Sequence, residues 1–393
     1  MRVRGFRAGG VHCGIKDDGL DLALLVSDVP AAVAGVFTRS TVVGAPVELC
    51  RERVRRGRAR AVVVNSGISN VAMGARGKRD AEAMTVLAAR AIGADPQEVL
   101  VASTGVIGEP LPMPEIRRGI PLAAEAASPR GWGRAARAIM TTDTFPKSAV
   151  ATARLGGREI TVAGIAKGSG MIEPDMATML AFLATDAAVQ PALLRRVLRE
   201  VADASFNRVS VDGETSTSDT LLLFANGEAG NPILRGPRSP GVRRFAAAVT
   251  EVASALAQDL ARDGEGATKL VTVRVSGARS QREAERAARR IANSMLVKTA
   301  LFGGDANWGR ILQTVGAGRV ALCLERSEVA LGGVTVFRRG ASTGPAARRR
   351  AAAKLRAPEL ELEVKLGVGR GQARIWTCDL SYDYVRINAE YTT

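Results

Sequence analysis

Histidine is almost missing from this chain: His12 is the only one in 393 residues. A Ser-His-Asp or Cys-His catalytic pair could use only that residue, and a histidine-rich metal site is excluded. His12 stands in Gly9-Gly-Val-His-Cys-Gly14 and reads as structural, which favours chemistry that needs no histidine. Cysteine is sparse as well. Cys13, Cys50, Cys323 and Cys378 are far apart and lack paired-ligand spacing, as expected of reduced thiols in a cytoplasmic protein and not of a zinc site. No run of about 18 uncharged apolar residues occurs, so no transmembrane helix is expected. The opening Met1-Arg-Val-Arg-Gly-Phe-Arg7 lacks the apolar core of a secretory signal.

Aromatic residues make up only 4% of the chain, which leaves few stacking platforms for single-stranded nucleic acid. The net charge of +16 invites such a partner. The positive residues are dispersed, however, and acidic substrates with a general use of arginine explain the charge more simply. Lysine is scarce: eight of the 55 basic residues. In a chain that uses arginine by default, a lysine in a glycine-rich stretch suggests a need for a compact point charge. Lys167, Lys269 and Lys298 qualify, whereas Lys354 and Lys365 read as solvated.

Among what is present, the stretch from Lys167 to Asp186 is the most informative. A turn-prone approach containing Gly168 and Gly170 leads into the apolar run Met179–Ala184, which suits a buried strand. Thr178 stands at the junction. Cutting the Ala177–Thr178 bond would leave Thr178 with a free α-amine, of pKa about 8, beside its own hydroxyl. Such a residue carries its own base.

Helical spacing is clear over Arg79–Ile92, Pro191–Ala204, Val242–Arg262 and Gln281–Asn293. Strands are expected at Ala61–Val64, Val99–Ala102, Thr161–Ile165 and Leu221–Phe224. Ala149–Arg154 and Glu159–Ile165 form a hairpin across Gly156-Gly157. The fold class is therefore a layered α/β arrangement with much antiparallel sheet. A boundary near residue 280 is expected. Arg338–Arg356 should be an exposed loop and helix, and the aromatic, β-prone Ile375–Thr393 should pack.

Several segments combine glycine with small polar residues. Ser103-Thr104-Gly105 follows a strand, where a hydroxyl and a backbone N–H can converge as in an oxyanion hole. Thr141-Thr-Asp-Thr144 alone is a cap or turn. Asn207–Asp219 either orders a site or caps a loop. Gly264-Glu-Gly-Ala-Thr-Lys269 resembles a phosphate loop only loosely, and Glu265 suits a cationic group better.

Together these segments resemble the ornithine acetyltransferase (glutamate N-acetyltransferase) family in order and spacing across nearly the whole chain. Asn65-Ser-Gly67, Ser103–Gly108, Thr141–Thr144, Lys167–Asp186, Gly264–Lys269, Asp305–Arg310 and Tyr384–Thr393 are among the matches. The resemblance implies an α/β/β/α sandwich like the self-processing aminopeptidases over 1–280, with a smaller C-terminal α/β domain over 281–393 whose tail returns to the site. It implies cleavage between Ala177 and Thr178 into chains 1–177 and 178–393, and their assembly as an α2β2 heterotetramer. Thr178 is then the nucleophile, Thr104 and Gly105 the oxyanion hole, and Thr141, Lys167, Thr178, Glu265, Asn388 and Thr393 the substrate contacts. The substrates are N-acetylornithine and glutamate in a ping-pong cycle, with no metal and no cofactor. Acetyl-CoA is a candidate second donor, and a monofunctional transferase is the alternative. Three departures stand out: Ile68-Ser-Asn-Val71 for Asn-Ala-Asn-Ala, Ala306 for proline, and Glu173 where small residues are usual. None falls on the nucleophile, oxyanion or substrate positions. A self-processing amidase and a basic RNA-binding protein are the competing readings.

Overall fold

The computed structural model describes residues 1–173 and 179–390. In chain order its strands are β1 (Phe6–Val11), β2 (Leu22–Phe37), β3 (Arg58–Ile68), β4 (Val99–Val106), β5 (Lys147–Leu155), β6 (Arg158–Lys167), β7 (Leu180–Thr185), β8 (Thr220–Ala225), β9 (Leu270–Ala278), β10 (Glu328–Leu331), β11 (Val334–Arg338), β12 (Ala341–Ser342), β13 (Glu359–Lys365) and β14 (Gly371–Cys378). The helices are α1 (Ala45–Arg53), α2 (Gly74–Ile92), α3 (Met113–Ala126), α4 (Trp132–Ala138), α5 (Pro191–Ala204), α6 (Val242–Arg262), α7 (Gln281–Asn293), α8 (Met295–Phe302), α9 (Trp308–Ala317), α10 (Pro345–Lys354) and α11 (Tyr382–Glu390).

Strands β4-β3-β2-β8-β7-β6-β5 form one sheet in that order, with β1 also paired to β2. The first half of β2 pairs with β1 and β3, and its second half pairs with β8. Its register against β3 breaks between Val26 and Ala31, around Pro30, which has no N–H for the ladder. That break lets the sheet turn over on itself. Leu180, Phe182 and Ala184 of β7 enter the core shared with β1–β4, while Ala181 and Leu183 enter a second core with α5 and α6. Burial on both faces explains why this run is continuously apolar. Helices α1, α2 and α3 cover the half containing β1–β4, and α5 and α6 cover the other. The α/β/β/α sandwich follows from these layers.

A second sheet runs β12-β11-β10-β13-β9-β14. It starts at Leu270, ahead of the sequence break near 280, and α7 packs on β9 and β14 to close a third core. Leu270, Trp376 and Cys378 are buried in the α5–α6 core, so the second sheet is tied to the sandwich. The tail follows expectation only in part. After β14 the chain forms α11, a helix with no buried residue, on which Tyr382 is 84% and Val385 66% exposed. The expectation holds for Ile375–Cys378, which end β14 in buried positions, whereas Tyr382–Glu390 form a helix in which Tyr384 and Ile387 are half-buried.

Candidate active site

The site lies at one end of the sandwich, and its first wall is set by strand register. Parallel β3 and β4 place Ser66 opposite Thr104 and Gly67 opposite Gly105, so two glycine motifs far apart in sequence are neighbours. Gly105 has φ +127°, and a Cβ there would lie 2.2 Å from the Gly67 carbonyl carbon. Only glycine fits. Lys167 ends β6, where it pairs with Leu180 at the start of β7, which in turn pairs with Thr220 at the start of β8. Three strand ends therefore converge on the place where Thr104 and Gly105 sit.

A pocket of about 100 Å³ is lined there by Thr104, Gly105, Thr141, Lys167, Glu265 and Asn388, together with Ser69, Gly170, Met171, Met179 and Ser216–Asp219. Lys167 Nζ donates to Thr141 Oγ1 at 2.8 Å and to Thr104 Oγ1 at 3.1 Å. Because the ammonium occupies a lone pair of the Thr104 hydroxyl, that hydroxyl's proton is left to point elsewhere. Across the pocket, Asn388 Nδ2 donates to Glu265 Oε2 at 2.8 Å. A Cβ on Gly170 would come 2.3 Å from that same Glu265 oxygen, so this glycine admits the carboxylate.

Behind Lys167 lies a buried charge network. The Asp143 side chain accepts from the backbone N–H of Gly168 at 2.6 Å and of Thr141 at 3.0 Å. It also accepts from Lys147 Nζ at 2.7 Å, and Lys147, itself fully buried, donates further to Asp263. Burial would raise the Asp143 carboxyl, but the charges of Lys167 and Lys147 outweigh it and hold the group below the usual range. Burial pushes the Lys167 ammonium below the ordinary lysine range, with Asp143 and Glu265 opposing the shift and Lys147 adding to it.

Ala177, Thr178 and Thr393 lie outside the described residues. Met179, next in sequence after Thr178, lines the pocket. The remaining candidates, Thr104, Gly105, Thr141, Lys167, Glu265 and Asn388, all line it together. Two lysines singled out with Lys167 are structural. Lys269 Nζ meets Asp379 at 3.3 Å, and buried Lys298 donates to Thr377 Oγ1 at 3.1 Å and to the Cys378 carbonyl. His12 does not line the pocket, and its Nδ1 lies 2.7 Å from the Gly19 carbonyl oxygen. The Asn207–Asp219 stretch serves both of its readings: Asp212 accepts from Met171 N and Ile172 N, while Ser216–Asp219 line the pocket. One departure from the family pattern lies close by, since Ser69 lines the pocket. Another, Glu173, pairs with Arg289 of α7 at 3.0 Å. Sequence reasoning missed Lys147 and Asp263, although the Asp143–Lys147 spacing was a visible signal.

The ArgJ family pattern matches residues 7–393. The chain belongs to the ArgJ family. A Geobacter sulfurreducens protein named arginine biosynthesis bifunctional protein ArgJ is 52% identical over 394 residues, covering 100% of both chains. A Symbiobacterium thermophilum protein of the same name is 50% identical, covering 99% of this chain and 97% of that one. The crystal structure of the Bacillus halodurans ArgJ protein is 40% identical with a TM-score of 0.50, covering 52% of this chain and 96% of that chain. An ArgJ chain is an acyltransferase of arginine biosynthesis, which fits a pocket furnished with hydroxyls, a lysine and a lone glutamate.

Proposed function

We propose that this chain moves an acetyl group from N-acetylornithine to glutamate through an ester on Thr178. Its own cleavage comes first. The Thr178 hydroxyl attacks the Ala177 carbonyl, the peptide nitrogen leaves as the new α-amine, and water hydrolyses the resulting ester to free the Ala177 carboxylate. The amine then takes the hydroxyl proton as Oγ attacks the acetyl carbonyl of N-acetylornithine. Thr104 Oγ1 and Gly105 N–H stabilise the tetrahedral oxyanion, each donor contributing about 3 kcal/mol. The proton passes to the departing ornithine amine. Glutamate enters, and its α-amine attacks the acetyl ester in the reverse sense.

In this reading Lys167 and Thr141 hold a substrate carboxylate, while Glu265 meets the ornithine side-chain ammonium. The observation that carries it is the convergence of Thr104, Gly105, Thr141, Lys167, Glu265 and Asn388 on one pocket beside Met179. The fixed Lys167–Thr104 hydrogen bond supports the oxyanion role by orienting the hydroxyl. Cleavage is supported by the Bacillus halodurans chain, which aligns over 96% of its length yet spans about half of this one, as one product of such a cut would. The bifunctional name of the relatives supports acetyl-CoA as a second donor, its thioester loading Thr178 with release of the CoA thiol. No cofactor is needed, the working form is an α2β2 assembly, and the location is cytoplasmic. Among the described residues no helix is long and apolar enough to cross a membrane.

Mass spectrometry after incubation with N-acetylornithine alone tests the intermediate. The 178–393 fragment is expected to gain one acetyl group and to lose it when glutamate is added. Release of acetate without transfer to glutamate would favour the amidase instead.

A further inference from the structure

We propose that the cleft between α7 and α9 binds the phosphate groups of acetyl-CoA, an inference that rests on the bifunctional reading above. The cleft measures about 480 Å³, inside the range of about 300–1,000 Å³ typical of small-molecule sites. Its lining includes Arg286, Arg289 and Arg290. Residues three and four apart share a face of a helix, and like charges placed so repel one another. Helix stability alone therefore does not account for this grouping.

The arginines are incompletely neutralised. Arg289 meets Glu173 at 3.0 Å, and Arg286 meets Glu283 at a loose 3.8 Å. Arg290 meets no carboxylate within ion-pair distance among the described residues; its Nε reaches only the Thr314 carbonyl oxygen, at 3.4 Å. Guanidinium forks suit phosphate oxygens through paired N–H donors. Ser294 also lines the cleft and caps the N-terminus of α8, where helix N–H groups favour an anion.

Position supplies the second half of the case. Glu173 lines this cleft and Met171 lines the active pocket, with only Ile172 between them. Residues two apart lie within about 7 Å even in extended backbone, so one short segment contributes a wall to each cavity. A donor with a reactive thioester at one end and phosphates at the other can occupy both. N-acetylornithine has no phosphate and gains nothing from the arginines. Glu173, a departure from the family pattern, then sets how many of the three arginines stay available.

Steady-state transfer to glutamate with each donor tests this in the cleaved, assembled enzyme. In R286A/R290A the KM for acetyl-CoA is expected to rise tenfold or more, while kinetics with N-acetylornithine stay within twofold and report an intact fold. An unchanged KM for acetyl-CoA in that variant overturns the assignment and leaves the bifunctional reading standing. Absence of acetyl-CoA-dependent transfer in the wild type overturns the bifunctional reading, and this inference with it. Adenosine 3′,5′-bisphosphate should compete with acetyl-CoA in the wild type far better than inorganic phosphate. Equal inhibition by the two marks a general anion site and overturns a nucleotide one.

Discussion

On one side of the active pocket, Thr104 and Gly105 stand in strands paired continuously from Ala61–Val99 to Ile68–Val106. On the other, Glu265 sits in a loop after α6, and Asn388 stands on α11, a helix with no buried residue. The first wall is fixed by register and by a glycine contact that tolerates no side chain. The second combines buried Glu265, whose loop is tied down through Asp379, with the exposed helix α11. The two are joined by the Asn388–Glu265 hydrogen bond and by Ser381 Oγ donating to the Gly266 carbonyl at 2.5 Å. This division matches the chemistry. Oxyanion donors must point at one spot throughout the reaction. In the proposed cycle the opposite wall receives ornithine and then glutamate, whose side chains end in opposite charges, and a wall closed by an exposed helix suits that exchange.

Breaking the fixed wall should have the largest effect. Gly105→Ala combines a backbone conformation costing on the order of 1–3 kcal/mol with a direct clash against Gly67. Transfer is expected to fall about 10²–10³-fold, the usual consequence of a lost oxyanion donor, with a lower melting temperature. Normal kinetics in this variant would mean that the register does not serve the oxyanion.

Lys167 sits between the walls, and its behaviour should show in the pH profile. Its proton is lost below the ordinary lysine range because burial disfavours the charged form. A rate that needs the ammonium therefore falls on the alkaline side earlier than an exposed lysine would dictate. In the proposed mechanism the Thr178 amine acts unprotonated, and an ordinary α-amine pKa of about 8 then sets the acid limb. Lys167→Arg keeps its charge, and the alkaline limb should move up even as the maximal rate drops. An unmoved limb would assign that titration to another group.

The smallest effect is expected at the wall closed by α11. Asn388→Ala removes the part-buried hydrogen bond that orients the Glu265 carboxylate. KM for N-acetylornithine should rise roughly tenfold, with kcat nearly kept and melting unchanged, since α11 has no buried residue. A large fall in melting temperature would place this wall in the folding core and erase the contrast.

The same contrast governs what could be read from the sequence. The bounds of α5, α6 and α7 follow from long apolar periodicity, because each buries a single stripe. The β5–β6 hairpin follows from Gly156-Gly157 and alternation. The four-layer sandwich came from family resemblance, since periodicity cannot show that a sixteen-residue strand serves two halves of one sheet. Residues of the fixed wall were legible as glycine motifs, but their pairing across β3 and β4 is a long-range fact. Lys147 and Asp263 are hard to find because, apart from the Asp143–Lys147 spacing, their pairing joins residues 116 apart in sequence. The tail reads correctly as far as Cys378, but beyond it propensity favours strand for Tyr, Val and Ile, whereas Tyr382–Glu390 form a helix.

The central claim is that Thr178 is both the residue at the cleaved bond and the acetyl carrier. Intact mass spectrometry of Thr178→Ala, with transfer measured on the same sample, tests it most directly. The account predicts one uncut polypeptide without acetyl transfer from N-acetylornithine. Two fragments meeting at residues 177 and 178, or transfer at the wild-type rate, would contradict it.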